Sequence, residues 1–321
     1  MILTVTINPL LEICLNHKSV SFNAENRNGK LLYRAGGKGI NVNRQLKYLE
    51  TKSFGFTFAG GANGKIFRSV LEHEELSYSF IRTAAETRIA SVITDESNKS
   101  VSTYFQENNI VSSDEANEFK LKLDKMIQNC EIVVFSGSSP STSTDDIFPY
   151  GISLANKYDK VSVVDTYGAH LAKCIDASPT ILHNNGEEIE KSLQVKMKSE
   201  KEKLAFLDHL YQKGIKQAFI TDGEQPIFAS NFDYHFKIIP PKVSAVHPTG
   251  SGDAFVAGLI YAWHNDFVFA DTCKLAVALG TVNAARLDIC TADFAAIEEL
   301  RGEIMLTPVG KKMKLLDDSP Q

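Results

Sequence analysis

The sequence has no run of roughly eighteen apolar residues, so no segment reads as a membrane-spanning helix. It opens MILTVTINPL, without a basic leader or a small-residue cleavage site, and a cytoplasmic protein with no membrane partner is the expectation. Excess positive charge is also missing. With 34 Lys+Arg against 39 Asp+Glu the net charge is −5, so there is no net basic field to bind nucleic acid. Cysteines are few and scattered: Cys14, Cys130, Cys174, Cys273 and Cys290 make an odd count of five with no CxxC. They read as reduced, buried, small apolar side chains. Two familiar phosphate loops are absent as well. Gly64-Lys65 is followed by Ile66, with Ala59 where a P-loop needs its first glycine. No G-x-G-x-x-G follows the first strand, which argues against a dinucleotide-binding domain.

What is present is alternation. Of the 321 residues, 43% are hydrophobic and 23% charged, ordinary for a soluble globular protein. Strand-like runs (2–7, 53–61, 131–137, 160–165, 179–184 and 216–223) alternate with helix-like segments (40–50, 63–73, 114–128, 144–158 and 201–213). Such a βαβα order predicts a mostly parallel sheet covered by helices on both faces. Ligands of such sheets bind beyond the carboxyl ends of the strands. Residues 11–35 and 87–106 break the order and read as antiparallel strand pieces. They are expected either to form one small accessory sheet over the cleft or to be surface hairpins without function.

The strongest local signal is HPTGSGDAFVAGLIYAW, from His247 to Trp263. Thr-Gly-Ser-Gly-Asp stands directly before a helix that is apolar on nearly every face and must therefore be deeply buried. Gly250 and Gly252 allow a tight turn, and the helix N-terminus adds partial positive charge. Together with Ser251 they suit a phosphoryl group in transfer. Asp253 in the first turn is placed to take a proton from an attacking hydroxyl; a plain helix-capping role is the alternative. A second signal is AGGKGINVN, Ala35 to Asn43. Gly36, Gly37 and Gly39 permit close approach of a ligand, Lys38 supplies a charge, and Asn41 and Asn43 supply donors for hydroxyls. Taken alone, a glycine-rich turn before a helix is as often structural.

In this order and at this separation, the two motifs resemble the PfkB/ribokinase family of sugar kinases, over Thr6 to about Ala285. Thr6-Ile7-Asn8-Pro9, Asn26-Arg27, Glu86-Thr87-Arg88 and Ser136-Gly137-Ser138 make the phosphohexose kinases the most similar branch, the 1-phosphofructokinase and tagatose-6-phosphate kinase type. The resemblance implies a ribokinase-like three-layer α/β/α fold with a mostly parallel central sheet and a small β-sheet lid. It implies a main domain of residues 1–10, 36–86 and 107–303, a lid of 11–35 and 87–106, and a partly disordered tail, 304–321. It further implies ATP and Mg2+ as cofactors, a sugar phosphate as partner molecule, and a homodimer through the lid. Asp253 would be the base, with Gly250, Ser251 and Gly252 as the anion hole. Arg27, Arg88 and Ser138 would hold the substrate phosphate, and Glu12, Gly37, Lys38 and Asn41 the sugar. Asp165, Asn185, Glu188, Thr221, Gly223 and Asn283 would serve the nucleotide, with Glu188 reaching magnesium through water.

Four letters depart from the family pattern. Glu12 stands for an Asp, which moves the carboxylate by one methylene. His183 stands for a Lys and removes a fixed charge near the nucleotide phosphates. Pro226 stands for a Gly and deletes an N–H from the nucleotide loop. His247 stands for an Asn or Asp. Three of the four crowd the nucleotide side, so two alternatives stand beside an active phosphohexose kinase: a sugar-phosphate-binding protein with impaired catalysis, and a kinase of an unphosphorylated sugar or nucleoside.

Overall fold

The structure, a computed structural model, describes residues 1–310. The chain begins with β1 (Ile2–Thr6), β2 (Leu10–His17), β3 (Lys30–Gly36), α1 (Lys38–Tyr48), β4 (Ser53–Gly60), α2 (Gly61–His73), β5 (Tyr78–Thr83), β6 (Arg88–Asp95) and β7 (Ser100–Phe105). It continues with α3 (Ser113–Gln128), β8 (Ile132–Ser136), α4 (Ile147–Lys157), β9 (Val161–Asp165), α5 (Leu171–Asp176), β10 (Ile181–Asn185), α6 (Gly186–Leu193), α7 (Glu200–Gln212) and β11 (Gln217–Thr221). Then come β12 (Ile227–Asn231), β13 (Tyr234–Ile239), α8 (Ser251–His264), α9 (Phe269–Ala284), α10 (Phe294–Glu303) and β14 (Met305–Val309).

Ten strands form the main sheet in the order β14-β13-β12-β11-β10-β9-β8-β1-β4-β5. From β11 to β5 neighbours run parallel, and β12, β13 and β14 extend the edge antiparallel. The central strands are continuous apolar runs because both of their faces are covered. One face packs on α3 to α7 around Phe56, Phe119, Phe135 and Phe148. The other packs on α1, α8, α9 and α10 around Ile2, Val134, Phe219 and Phe255. The result is three layers, α/β/α. α8 sits in the middle of its layer, against α1 and α9, which explains a sequence apolar on nearly every face. All five cysteines are buried free thiols.

Segments 11–35 and 87–106 meet in one four-stranded sheet, β3-β2-β6-β7. The central pair of that sheet, β2 with β6, is parallel, which corrects the expected antiparallel pairing. Only the flanking pairs are hairpins. Apolar residues of β2, β3 and α2, among them Leu11, Ala35 and Phe67, form a third small core beneath it. The expected tail is partly structured: Met305–Val309 pairs with β13, since an exposed edge offers unpaired backbone groups to any strand that can reach it. Residues 311–321 of that tail lie outside the described residues.

Candidate active site

The carboxyl ends of the parallel strands, the N-terminus of α8 and the inner edge of the small sheet enclose a cavity of about 460 Å³. Gly250, Ser251, Gly252 and Asp253 form part of its wall. Gly250 is the N-cap of α8 at φ 83°, and no side chain caps the helix. A side chain at Gly250 would be strained at that φ and would collide with Ile289. The Ser251 N–H donates to the Pro248 carbonyl at 3.1 Å, and the N–H groups of Gly252 and Asp253 remain for a ligand.

Asn283 does not line this cavity. Its buried amide donates to the Thr249 carbonyl at 2.9 Å and to Ser251 Oγ at 3.2 Å, and it accepts from the Cys290 N–H at 2.7 Å. These contacts brace the glycine loop.

Asp253 is buried and accepts a hydrogen bond from Asn41 Nδ2 at 2.7 Å. Burial, with the Asp165 carboxylate adding to it, pushes its carboxyl up to about 7, against the pull of Lys38 and Asn41. A carboxyl that changes charge near neutrality suits a general base. Capping is not its role, because its side chain bonds α1.

Lys38 Nζ lies 2.7 Å from Glu188 Oε1 and 3.1 Å from Asp165 Oδ1, and 5.0 Å from the centre of the Tyr167 ring. Burial disfavours the ammonium, but Asp165, Glu188 and Asp253 outweigh it and raise its pKa well above the usual value. Burial likewise opposes the Asp165 charge, and Lys38 with His183 reverses this, holding the carboxyl at about 2. His183 Nδ1 is 3.2 Å from Asp165 Oδ1, its Nε2 is 3.2 Å from Thr221 Oγ1, and its ring stacks on Phe255. Asn185 and Glu188 form a capping box for α6: Asn185 Oδ1 accepts from the Glu188 N–H at 2.7 Å, and Glu188 Oε2 from the Asn185 N–H at 3.3 Å. Thr221 and Gly223 complete this end of the wall, as expected, together with His183.

The other end is built around Arg88. Its Nη1 donates to Asn108 Oδ1 at 3.1 Å and its Nη2 to the Asn8 carbonyl at 3.4 Å. Asn8 Nδ2 donates to Ser138 Oγ and to Asn108 Oδ1, both at 3.0 Å. Among the described residues no carboxylate pairs with Arg88, and its Nε is buried with no partner. Burial accordingly lowers its pKa. A partly buried guanidinium lacking a counter-ion is a site for an anion.

Gly37 and Asn41 line the cavity between the two ends. Glu12 lines it too, but its carboxylate accepts from Arg34 Nε at 2.5 Å. The β2–β3 register, which places Glu12 opposite Arg34, sets this pair. Arg27 is the outlier. It lies outside the cavity wall, exposed in the β2–β3 connection and paired with Glu25, so within one chain it does not join Arg88 and Ser138. His247 packs beside the glycine loop, its Nδ1 3.5 Å from the Leu287 carbonyl.

Sequence reasoning left Arg34, Phe105, Asn108 and Tyr167 out of the site. Tyr167, two residues past the strand-ending Asp165, was the most findable. Asn108 reaches the site only through the fold.

The model of a family described as pfkB family carbohydrate kinase matches residues 6–291. The chain is 29% identical over 316 residues to a 1-phosphofructokinase of Borreliella burgdorferi, covering 96% of this chain and 99% of the relative. It is 27% identical over 287 residues to a tagatose-6-phosphate kinase of Staphylococcus epidermidis, covering 88% and 92%. Among solved structures, a possible 1-phosphofructokinase from Thermotoga maritima superposes with a TM-score of 0.87 at 23% identity, covering 96% and 99%. The tetrameric inhibited form of phosphofructokinase-2 from Escherichia coli superposes with a TM-score of 0.83 at 18% identity, covering 94% and 98%. These likenesses make the fold ribokinase-like.

Proposed function

The chain belongs to the pfkB family of carbohydrate kinases, and we propose that it phosphorylates a phosphohexose with ATP and magnesium, taking fructose 1-phosphate, fructose 6-phosphate or tagatose 6-phosphate. The observation that carries this reading is Arg88, a cation without a counter-ion, with Asn8 and Ser138 beside it, in the wall of the cavity that Asp253 shares. A neutral sugar offers such an arginine hydroxyl acceptors but no counter-ion. The names of the curated relatives agree with a phosphohexose.

In this reading the substrate phosphate sits on Arg88 and Ser138, and the sugar lies along Gly37, Lys38, Asn41 and Glu12. That leaves a hydroxyl at Asp253. The hydroxyl attacks the γ-phosphorus in line as the bond from that phosphorus to the bridging oxygen breaks and ADP leaves; Asp253 takes the hydroxyl proton, and the N–H groups of Gly252 and Asp253 stabilise the charge on the transferring group. Asp165, Asn185, Glu188, Thr221 and Gly223 serve the nucleotide. Magnesium usually binds through one or two carboxylates plus substrate phosphates. The partnerless Oδ2 of Asp165 and the carboxylate of Glu188 fit that role, with Glu188 acting through water. Bound there, the ion would neutralise phosphate charge.

The small sheet is the proposed lid. Its strands expose Leu31, Leu32, Tyr33, Tyr104 and Phe105, an apolar set suited to a second copy of the chain. The described tetramer of one structural relative is in keeping with such an assembly. Arg27 then serves a substrate only when assembly carries it to a cavity.

The test is a coupled ADP assay over the three phosphohexoses and unphosphorylated fructose. Turnover of one phosphohexose far above that of fructose is expected. Equal turnover of fructose would overturn the reading.

A further inference from the structure

Asp253 is held by one hydrogen bond whose donor is itself held. Asn41 Nδ2 donates to Asp253 Oδ2 at 2.7 Å, while Asn41 Oδ1 accepts from Arg44 Nη1 at 2.6 Å. Arginine is a donor only, so the guanidinium admits only the oxygen of the Asn41 amide on its side. The NH2 must then face Asp253. A flipped amide would set oxygen against carboxylate and NH2 against guanidinium, both repulsive.

Arg44 is fixed in turn. It is buried, 5% exposed, and lies one helical turn after Asn41 on α1, where i and i+3 share a face. Its Nε donates to Glu74 Oε2 at 2.7 Å, and its Nη2 to Glu74 Oε1 at 3.3 Å and to the Ala35 carbonyl at 2.6 Å. Glu74 is the residue that ends α2. Both ends of this chain of contacts are secondary-structure termini, the C-terminus of α2 and the N-terminus of α8, and α1 carries the two links between them. Glu74 and Arg44 do not line the cavity.

We propose that Arg44 and Glu74 are positioning residues for the phosphoryl-transfer base, acting through the locked amide of Asn41. This rests on the assignment of Asp253 as base. Arg44 and Glu74 themselves lie outside the cavity wall; a freed Asn41 amide, which also lies along the proposed sugar site, raises KM modestly, and the distinguishing effect of losing either residue is on kcat and its pH dependence. An N–H donated to a carboxylate favours its charged form. With the amide released, Asp253 keeps its proton to higher pH, and the acidic limb of kcat moves upward. The other groups that act on Asp253 are Lys38 on α1, Asp165 on β9, Glu188 on α6 and the buried Cys290 thiol. Lys38, Asp165 and Glu188 are untouched by these substitutions; Arg44 also lowers the Cys290 thiol, which burial holds well above its ordinary value.

The test is kcat and KM against pH, on the phosphohexose that wild type turns over fastest, for Arg44→Met, Arg44→Lys, Glu74→Gln and Asp253→Asn, each checked by thermal melting. For Arg44→Met the acidic limb moves up by about one pH unit, which is tenfold in activity on that limb, and activity recovers at alkaline pH while KM stays within about threefold. Arg44→Lys keeps the charge but loses the planar fork, so it shows the same shift. Glu74→Gln shifts the limb by less and covers the case in which Arg44→Met fails to fold. Folded Arg44 and Glu74 variants with the wild-type pH profile would overturn the proposal. Should Asp253→Asn turn over like wild type, the base assignment itself has failed, an outcome the Arg44 profiles do not produce.

Discussion

The two ends of the cavity are built in opposite ways. At the end around Lys38, the nucleotide end of the proposed function, each charged side chain is paired: Lys38 sits between Asp165 and Glu188, His183 bridges Asp165 and Thr221, and Asn185 and Glu188 cap each other's backbone, with Asp165 Oδ2 alone left without a partner. At the acceptor end Arg88 has no carboxylate, and one of its N–H groups is buried without a partner. A polyanion arriving at the acceptor end gains a counter-ion already in place and already partly buried. At the nucleotide end it must compete with the carboxylates that already hold Lys38. With a net charge of −5, the protein as a whole attracts neither ligand. On the proposed function, discrimination rests on the acceptor end and turnover on the junction between the two, where Asp253 lies.

Substitutions can break this contrast, beginning at the junction. Asp253→Asn lowers kcat by about 10²–10⁴-fold, the range for loss of a general base, read in steady-state assays at saturating substrates. Because burial raises the Asp253 carboxyl to about 7, and the base must be unprotonated to act, wild-type kcat falls as pH drops below about 7. Arg88→Met leaves kcat nearly intact and costs the phosphohexose about 2 kcal/mol, roughly thirtyfold in KM, the scale of hydrogen bonds to a charged group. His183→Lys adds a fixed cation at the nucleotide end and tightens ATP–magnesium binding about fivefold in calorimetric titration, near 1 kcal/mol for one partly screened charge. The smallest change is Asn185→Ala. Loss of the α6 cap costs about 1 kcal/mol of stability, measured by urea unfolding.

The same contrast marks what was legible in the sequence. The junction was the most readable part, since Gly250 to Asp253 and the all-apolar α8 are one continuous stretch whose chemistry is local. Arg88, Ser138, Thr221 and Gly223 were found by resemblance, and all four line the cavity. The closed network was not readable, because Lys38, Asp165, His183 and Glu188 come from distant segments joined only by strand order. The β2–β6 pairing was misread for the same reason: its partners are separated by two α/β units, and local pattern carries no direction. Residues 227–239 and 305–309 gave no strand signal that was taken up, yet they form the antiparallel edge. Asn283, expected near adenine only through the resemblance, braces the glycine loop from α9, a contact across 34 residues that local pattern does not carry.

One ratio tests the central claim most directly. It is kcat/KM for the preferred phosphohexose divided by kcat/KM for the same sugar without its phosphate, measured in wild type and in Arg88→Met. An acceptor end that discriminates through its unpaired cation predicts a large ratio in wild type and a collapse of at least about tenfold in the variant, the loss set by about 1.4 kcal/mol or more of lost contact. An unchanged ratio in a folded Arg88→Met variant would contradict the account.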